Sequence, residues 1–424
     1  MSEPAPFQGL RVLEFGQYVS VPYCAELFAH GGADVTKVEP VTGDETRKNS
    51  EILPGEGRQY IIKARGKRGL PLDISTPEGN NLARRLALRS DILVSNMRPG
   101  ALESLGLDFE SLSAENPSLI VGEISAFGRQ GPDAIRPGLD AIAQAYSGLT
   151  FSGRAWDDGV PVTSEAFLAD YMAGMTLAFG LVTALRERDR TGRGQVVRTS
   201  LLQASLTLQH GTASIVEAVD GWKRTFLDSV RSTGASLESF QVRRNELAGN
   251  RWFYNNYATA DGFVAVAAPG PNRRKLMDLL EIDDPQLTQP GWVMPDDPRD
   301  YLASILAAAR AAVLRFDTTT FEAACAERGI PCSRMRFLEE TLVDEGVRSN
   351  GFLHEFDHPA VGPMVMPGAP LSFSSLQFKP ADNSPAYGEH TDDLLAEFGL
   401  APAEVARLVA ARITGTPGTS PFTA

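Results

Sequence analysis

Over the first 130 residues, short apolar runs take turns with segments of helical spacing. Leu10 to Phe15, Val35 to Val38, Leu70 to Ile74, Asp91 to Val94 and Leu119 to Ile124 have strand length and are rich in Val, Leu and Ile. Between the first two, Pro22 to His30 has helical spacing and meets a stop at Gly31-Gly32. Thr76-Pro77-Glu78 opens another helix, with a capping Thr and a proline in the first turn. A short helix follows Pro99. Strands alternating with helices over short connections predict an α/β fold with a parallel sheet covered on both faces.

The pattern then changes. Ala169 to Arg188 predicts a long apolar helix, closed by Thr191-Gly192-Arg193-Gly194. An extended piece, Gln195 to Thr199, leads into a predicted helix from Leu201 to Val219. Residues 220 to 250 are polar and read as an irregular linker. A second unit starts near Trp252, with a turn at Ala260-Asp261-Gly262 and a strand from Phe263 to Ala267. Helices are expected near 272–281, 298–314 and 318–328, and Trp252, Tyr254 and Tyr257 are expected to pack this unit. Another change near 340 precedes helices from Thr391 to Phe398 and Pro402 to Ile413, with Thr391 as the cap of the first. The tail, Thr414 to Ala424, reads as frayed.

Composition narrows the function classes. The chain has 424 residues, 43% apolar and 22% charged, which excludes a wholly disordered chain or a fibre. Forty basic residues against 53 acidic ones give a net charge of -13, which argues against a nucleic-acid partner. Cys24, Cys325 and Cys332 form no paired framework and fit a reducing, cytoplasmic setting. No metal site is expected, because no His lies at ligand spacing from them. Met1-Ser2-Glu3-Pro4 carries no signal-peptide pattern. The fifteen uncharged residues from Tyr171 to Leu185 are too few to span a bilayer, so no membrane partner is expected.

The familiar nucleotide and hydrolase motifs are missing. The loop after the first strand reads Phe15-Gly16-Gln17-Tyr18-Val19-Ser20, with no G-x-G-x-x-G; there is no P-loop and no G-x-S-x-G. Basic residues bunch at Lys63, Arg65, Lys67 and Arg68. Arg98 follows the fourth strand and Arg136 the fifth, at the sheet edge where α/β proteins bind ligands. They suit phosphates there, or simply face water. Asp170 is the last acidic residue before the uncharged run. It reads as the helix N-cap, or as a carboxylate kept ionised and nucleophilic by the helix dipole. Asp140 is a second site carboxylate or another cap.

Eight segments, in order over nearly the whole chain, then carry a resemblance. They are LRVLEFG (10–16), GADVTKVEP with GDETR (32–47), RGKRGLPLDISTPEG (65–79), SNMRPGALESLGL (95–107), LDAIAQAYSGL (139–149), LADYMAGMTLAFGLVTALRERDRTGRGQVV (168–197), GIPCSRM (329–335) and GEHTDDLLAEFGL (388–400). The chain resembles the family III CoA-transferases, a group that includes formyl-CoA transferase, carnitine CoA-transferase and α-methylacyl-CoA racemase. The resemblance implies a Rossmann-like large domain built from both ends of the chain and a small domain from its middle. It divides the chain at 1–220, a linker 221–250, a small domain 251–338, and a return to the large domain over 339–424. It also implies a homodimer of two interlocked rings.

By the same resemblance the nucleophile falls on Asp170. CoA contacts fall on Val19, Ser20, Leu72, Asn96, Met97, Arg98 and Arg136, and the acyl substrate lies near Leu139 and Asp140. The implied reaction moves CoA from an acyl-CoA to a carboxylic acid through an acyl-aspartyl anhydride and an aspartyl-CoA thioester. CoA is a substrate, and no permanently bound cofactor is implied. The chain departs from the formyl-CoA transferase pattern: Val19 stands for Gln, and Pro137 and Leu139 for Lys and Tyr. Those changes suit a larger or less polar acyl group than formate or oxalate. A racemase-like isomerase is one alternative, but Leu139 stands where that branch has a His. A CoA-binding subunit of a hetero-oligomeric transferase is another, but such a subunit would lack the nucleophile.

Overall fold

A computed structural model describes residues 4–152, 155–211, 213–234, 236, 239, 251–295, 297–381 and 383–422. The chain divides into two compact units, Met1–Gly221 with Arg348–Ala424, and Trp222–Val347.

The first unit is built on six parallel strands: β1 Arg11–Phe15, β2 Asp34–Glu39, β3 Lys67–Pro71, β4 Ile92–Ser95, β5 Ile120–Ser125 and β6 Val196–Ser200. Their order across the sheet is β6-β5-β4-β1-β2-β3. That is the order of a doubly wound dinucleotide-binding sheet, whose crevice opens between β1 and β4, where the winding reverses. Neighbouring positions on a strand face opposite sides. Val12, Ile92, Val94 and Ile120 therefore enter one core, with α1 (Ser20–His30), α5 (Leu168–Thr191) and α6 (Leu201–Leu208). Leu13, Leu93 and Val121 enter the other, with α3 (Pro77–Leu88). Both faces are covered, which is why the strands read as unbroken apolar runs.

The chain's end closes the second core. Leu394 and Leu395 of helix Thr391–Glu397 and Val405 and Leu408 of helix Pro402–Ala410 are buried there. The tail is not frayed over its described part. Thr414 is buried, its Oγ1 donates to the Pro71 carbonyl at 2.5 Å, and Phe422 packs edge-on to Tyr387. Thr391 is not the cap of its helix either. His390 holds the cap position, and the Thr391 hydroxyl donates to the Gly415 carbonyl at 2.6 Å.

The second unit is a three-stranded antiparallel sheet, Tyr254–Ala258, Phe263–Ala267 and Cys332–Arg334, packed by helices Pro271–Leu280, Arg299–Val313 and Thr318–Glu327. Trp252 and Tyr257 are in its core, whereas Tyr254 is exposed. Two further expectations are corrected. The helix from Leu201 stops at Leu208, not Val219. Residues Gly221–Thr233 form a helix rather than irregular chain; the stretch 240–250 lies outside the described residues.

Candidate active site

The carboxyl ends of β1, β4 and β5 border an open cleft of about 910 Å³. Ser20, Leu72, Asn96, Met97, Arg98, Arg136, Leu139 and Asp170 line it, so residues up to 150 positions apart meet in one place. Val19 and Asp140 do not; both are buried behind the lining. Gln17 and Tyr18, which the sequence did not single out, also line the cleft. Tyr18 has a left-handed backbone (φ 64°), which aims the turn out of β1. Asn96 at the end of β4 holds that turn, accepting from Gln17 N at 3.1 Å and donating to Gln17 O at 2.8 Å. Their position just past β1 was the one available sequence signal.

Asp170 is not the cap of its helix. It is the third residue of α5, after Phe167 in the cap position with no side-chain cap. The missing acceptor comes from another element. Asp140 Oδ1 accepts from Ala169 N at 2.7 Å and from Asp170 N at 3.0 Å. Asp140 opens helix α4 (Asp140–Tyr146), and Gln144 one turn on donates to its Oδ2. Gln144 is itself held by Ser164, whose N–H it accepts at 3.1 Å and whose carbonyl it reaches at 2.9 Å. A buried chain of hydrogen bonds thus fixes where α5 begins, and with it the Asp170 carboxyl. The four-residue spacing of Asp140 and Gln144 was visible in the sequence; their use by a helix 30 residues on was not.

Asp170 is 7% exposed. Burial first, and then the charge of Asp140, push its carboxyl up from 3.8 to about 7; hydrogen bonds from Ser20 and the charge of Lys63 oppose the rise. Ser20 is the first residue of α1, so Asp170 lies at the meeting of two helix N-termini. Lys63, on helix α2 (Arg58–Ala64), is buried too, and burial draws its amine down to about 8. Asp140→Asn keeps an acceptor for the two N–H groups and removes a charge. A ¹³C titration of the Asp170 carboxyl should show a midpoint near 7, moved to lower pH in that variant. An unmoved midpoint would mean that Asp170 does not feel Asp140.

At the mouth, Arg136 lies over the rings of Phe127 (5.4 Å) and Tyr146 (5.8 Å), with Asp133 at 3.5 Å. Arg98 is exposed and has no ion-pair partner among the described residues. The basic bunch that runs into β3, by contrast, is largely buried. Lys67 Nζ pairs with Glu14 at 2.7 Å and Arg65 with Glu26 at 3.2 Å. Only Arg68 is partly open, between Asp34 and Glu397. No cluster of three or more metal-ligating side chains occurs among the described residues. Helix α5 is long and apolar enough to cross a membrane by composition, but half of its most apolar window is buried within this unit.

Comparison with known proteins gives the arrangement its context. The family model for CoA-transferase family III matches residues 7–391. A formyl-CoA:oxalate CoA-transferase from Bradyrhizobium sp. is 32% identical over 418 residues, covering 95% of each chain. One from Escherichia coli O157:H7 is 29% identical over 413 residues, covering 95% of this chain and 98% of its own. A CaiB/BaiF family protein from Brucella suis superposes with a TM-score of 0.71 at 25% identity, over 93% of this chain and all of its own. A hypothetical protein from Mycobacterium tuberculosis gives a TM-score of 0.73 at 24% identity over the same shares, a likeness of fold.

Proposed function

The chain belongs to CoA-transferase family III and is a CoA-transferase, and on that premise we propose that Asp170 is the nucleophile that carries CoA from an acyl-CoA to a carboxylic acid. One observation supports this above the others: among the described residues, Asp170 is the single carboxylate that both lines the cleft at the switch point and is held at two helix N-termini.

The steps balance without a proton. A carboxylate oxygen of Asp170 attacks the thioester carbonyl, the C–S bond breaks, and CoA leaves as thiolate from a mixed anhydride. The thiolate attacks the Asp170 carbonyl, releasing the donor acid and leaving an aspartyl-CoA thioester. The acceptor carboxylate attacks that thioester, and the freed thiolate then takes the acceptor's acyl carbon from the second anhydride. Each step exchanges carboxylate for thiolate, so the activation of the acyl group is kept. Water has to be kept from the anhydride, or the cycle ends in hydrolysis.

CoA is assigned to the cleft through Ser20, Leu72, Asn96, Met97, Arg98 and Arg136. Val19 is buried outside the lining, so it is not assigned a CoA contact. Leu139 meets the cleft with an exposed apolar side chain. It argues for an acyl group larger or less polar than the formyl and oxalyl groups in the relatives' names. The test is transfer from succinyl-CoA to a panel of aliphatic, aromatic and dicarboxylic acids. Arg98→Ala and Arg136→Ala should each raise KM for acyl-CoA by roughly tenfold, the worth of a charge-assisted hydrogen bond, with kcat changed less. An unchanged KM in both would leave them as surface charges.

We also propose that the working form is an interlocked homodimer. Its support is the apolar surface left open on the core helix and beyond, with Phe179 74% and Val219 72% exposed. Sedimentation at high dilution should show no compact monomer; a stable folded monomer would contradict the dimer.

A further inference from the structure

Beside the cleft, and sharing the Met97–Pro99 and Ile124–Ser125 walls with it, is a second cavity of about 410 Å³. Asp170 is not part of it. Its floor is the end of three adjacent strands, and each ends in serine: Ser95 of β4, Ser125 of β5 and Ser200 of β6. Every one of these hydroxyls accepts a backbone N–H, from Met97 (3.1 Å), Gly128 (3.0 Å) and Gln203 (3.0 Å). Among the described residues none of the three donates its own proton, so each is turned into a donor without an acceptor.

The walls add cations faster than anions. Arg98, Arg129 and Arg198 line the cavity with Glu103 and Glu123. Arg129 spans both glutamates, and Arg198 Nε reaches Glu123 at 2.8 Å. A guanidinium has five N–H donors, so these two acids leave most donors of Arg129 and Arg198 unused, without counting Arg98, which is assigned to CoA. Three hydroxyls on one face of the sheet and spare guanidinium donors around one hollow want a ligand made of acceptors. We propose that this cavity is a second binding site, for a small oxyanion-bearing molecule, a dicarboxylate or a phosphate, separate from the cleft that holds Asp170. The proposal does not depend on the role of Asp170.

The test is calorimetric titration of the full chain, already saturated with CoA, using succinate and inorganic phosphate in turn. Saturable binding is expected from at least one probe, and the tighter of the two identifies the chemistry. Arg129→Gln and Arg198→Gln each remove a wall cation. Each should weaken the probe by roughly tenfold while leaving CoA affinity unchanged, which also certifies the fold. No saturable binding by either probe, or equal binding in both variants, would overturn the site. Loss of probe binding on saturation with CoA would make the cavity an arm of the main cleft, and would overturn it as a separate one.

Discussion

Asp170→Asn should lower CoA transfer by a factor on the order of a thousand or more and, at pH 8, make the protein more stable. The first effect follows from removing the proposed nucleophile while keeping the shape; losses of that size and larger are the rule when the attacking group of a covalent mechanism is deleted. The second has the opposite sign because of where the charge sits. The Asp170 carboxyl titrates near 7 in the folded chain and near 3.8 in the unfolded one. Folding therefore takes up a proton between those values, and stability falls as pH rises through that window. By pH 8 the folded state carries a buried carboxylate that unfolding would relieve. At about 1.36 kcal/mol per pH unit the handicap is at most roughly 4 kcal/mol. Asn carries no such handicap, so its melting temperature should exceed that of the unmodified chain at pH 8, and the two should converge near pH 4. Full transferase activity in the variant, or parallel melting curves across pH, would contradict the assignment. Asn would have been nearly silent had Asp170 been the cap of α5, but that duty belongs to Asp140.

The other large effect is structural. Glu14 on β1 is fully buried and holds two buried lysines, Lys37 at 3.0 Å through Oε1 and Lys67 at 2.7 Å through Oε2. Burial pulls both amines down. For Lys37, Asp44 and Glu14 more than offset it; for Lys67, Glu14 opposes it only in part. These lysines also fasten the site: Lys37 donates to the Gly16 carbonyl at 2.6 Å and Lys67 to the Pro22 carbonyl at 2.8 Å. Glu14→Ala leaves two buried cations short of a counter-charge, and should cost about 3–5 kcal/mol. The loss should appear as a lower midpoint in urea with an unchanged slope. Glu14→Gln keeps the size and one acceptor, and should lose less. If Glu14→Ala unfolds at the same urea concentration as the unmodified chain, the network contributes nothing to the fold.

How much of this was legible beforehand depends on the range of the interaction concerned. The strands of the first sheet were readable because their signal is local: Val12 to Phe15 or Ile92 to Val94 are apolar whatever surrounds them. Gly221–Thr233 was misread because its helical signal is amphipathic and thin, one apolar stripe in a polar stretch. That the bunched Lys67 and Arg65 are buried ion-pair partners was not legible, because nothing nearby in sequence announces the acids they meet. Glu14 and Glu26 lie 53 and 39 residues away. Asp140 was recognisable as a candidate, but its function as a cap for a helix 30 residues downstream exists only once the chain has folded. Asp170 itself came from resemblance: residue type and position alone left it between a cap and a nucleophile.

The most direct test of the account is covalent. The chain should be incubated with an acyl-CoA and hydroxylamine, digested, and examined by mass spectrometry. If an anhydride and a thioester form on Asp170, hydroxylamine intercepts them. Activity should then be lost with a hydroxamate on the peptide that contains Leu168-Ala169-Asp170-Tyr171, and no adduct should appear without acyl-CoA. An adduct on another residue such as Asp140, or continued turnover with no adduct at all, would contradict it.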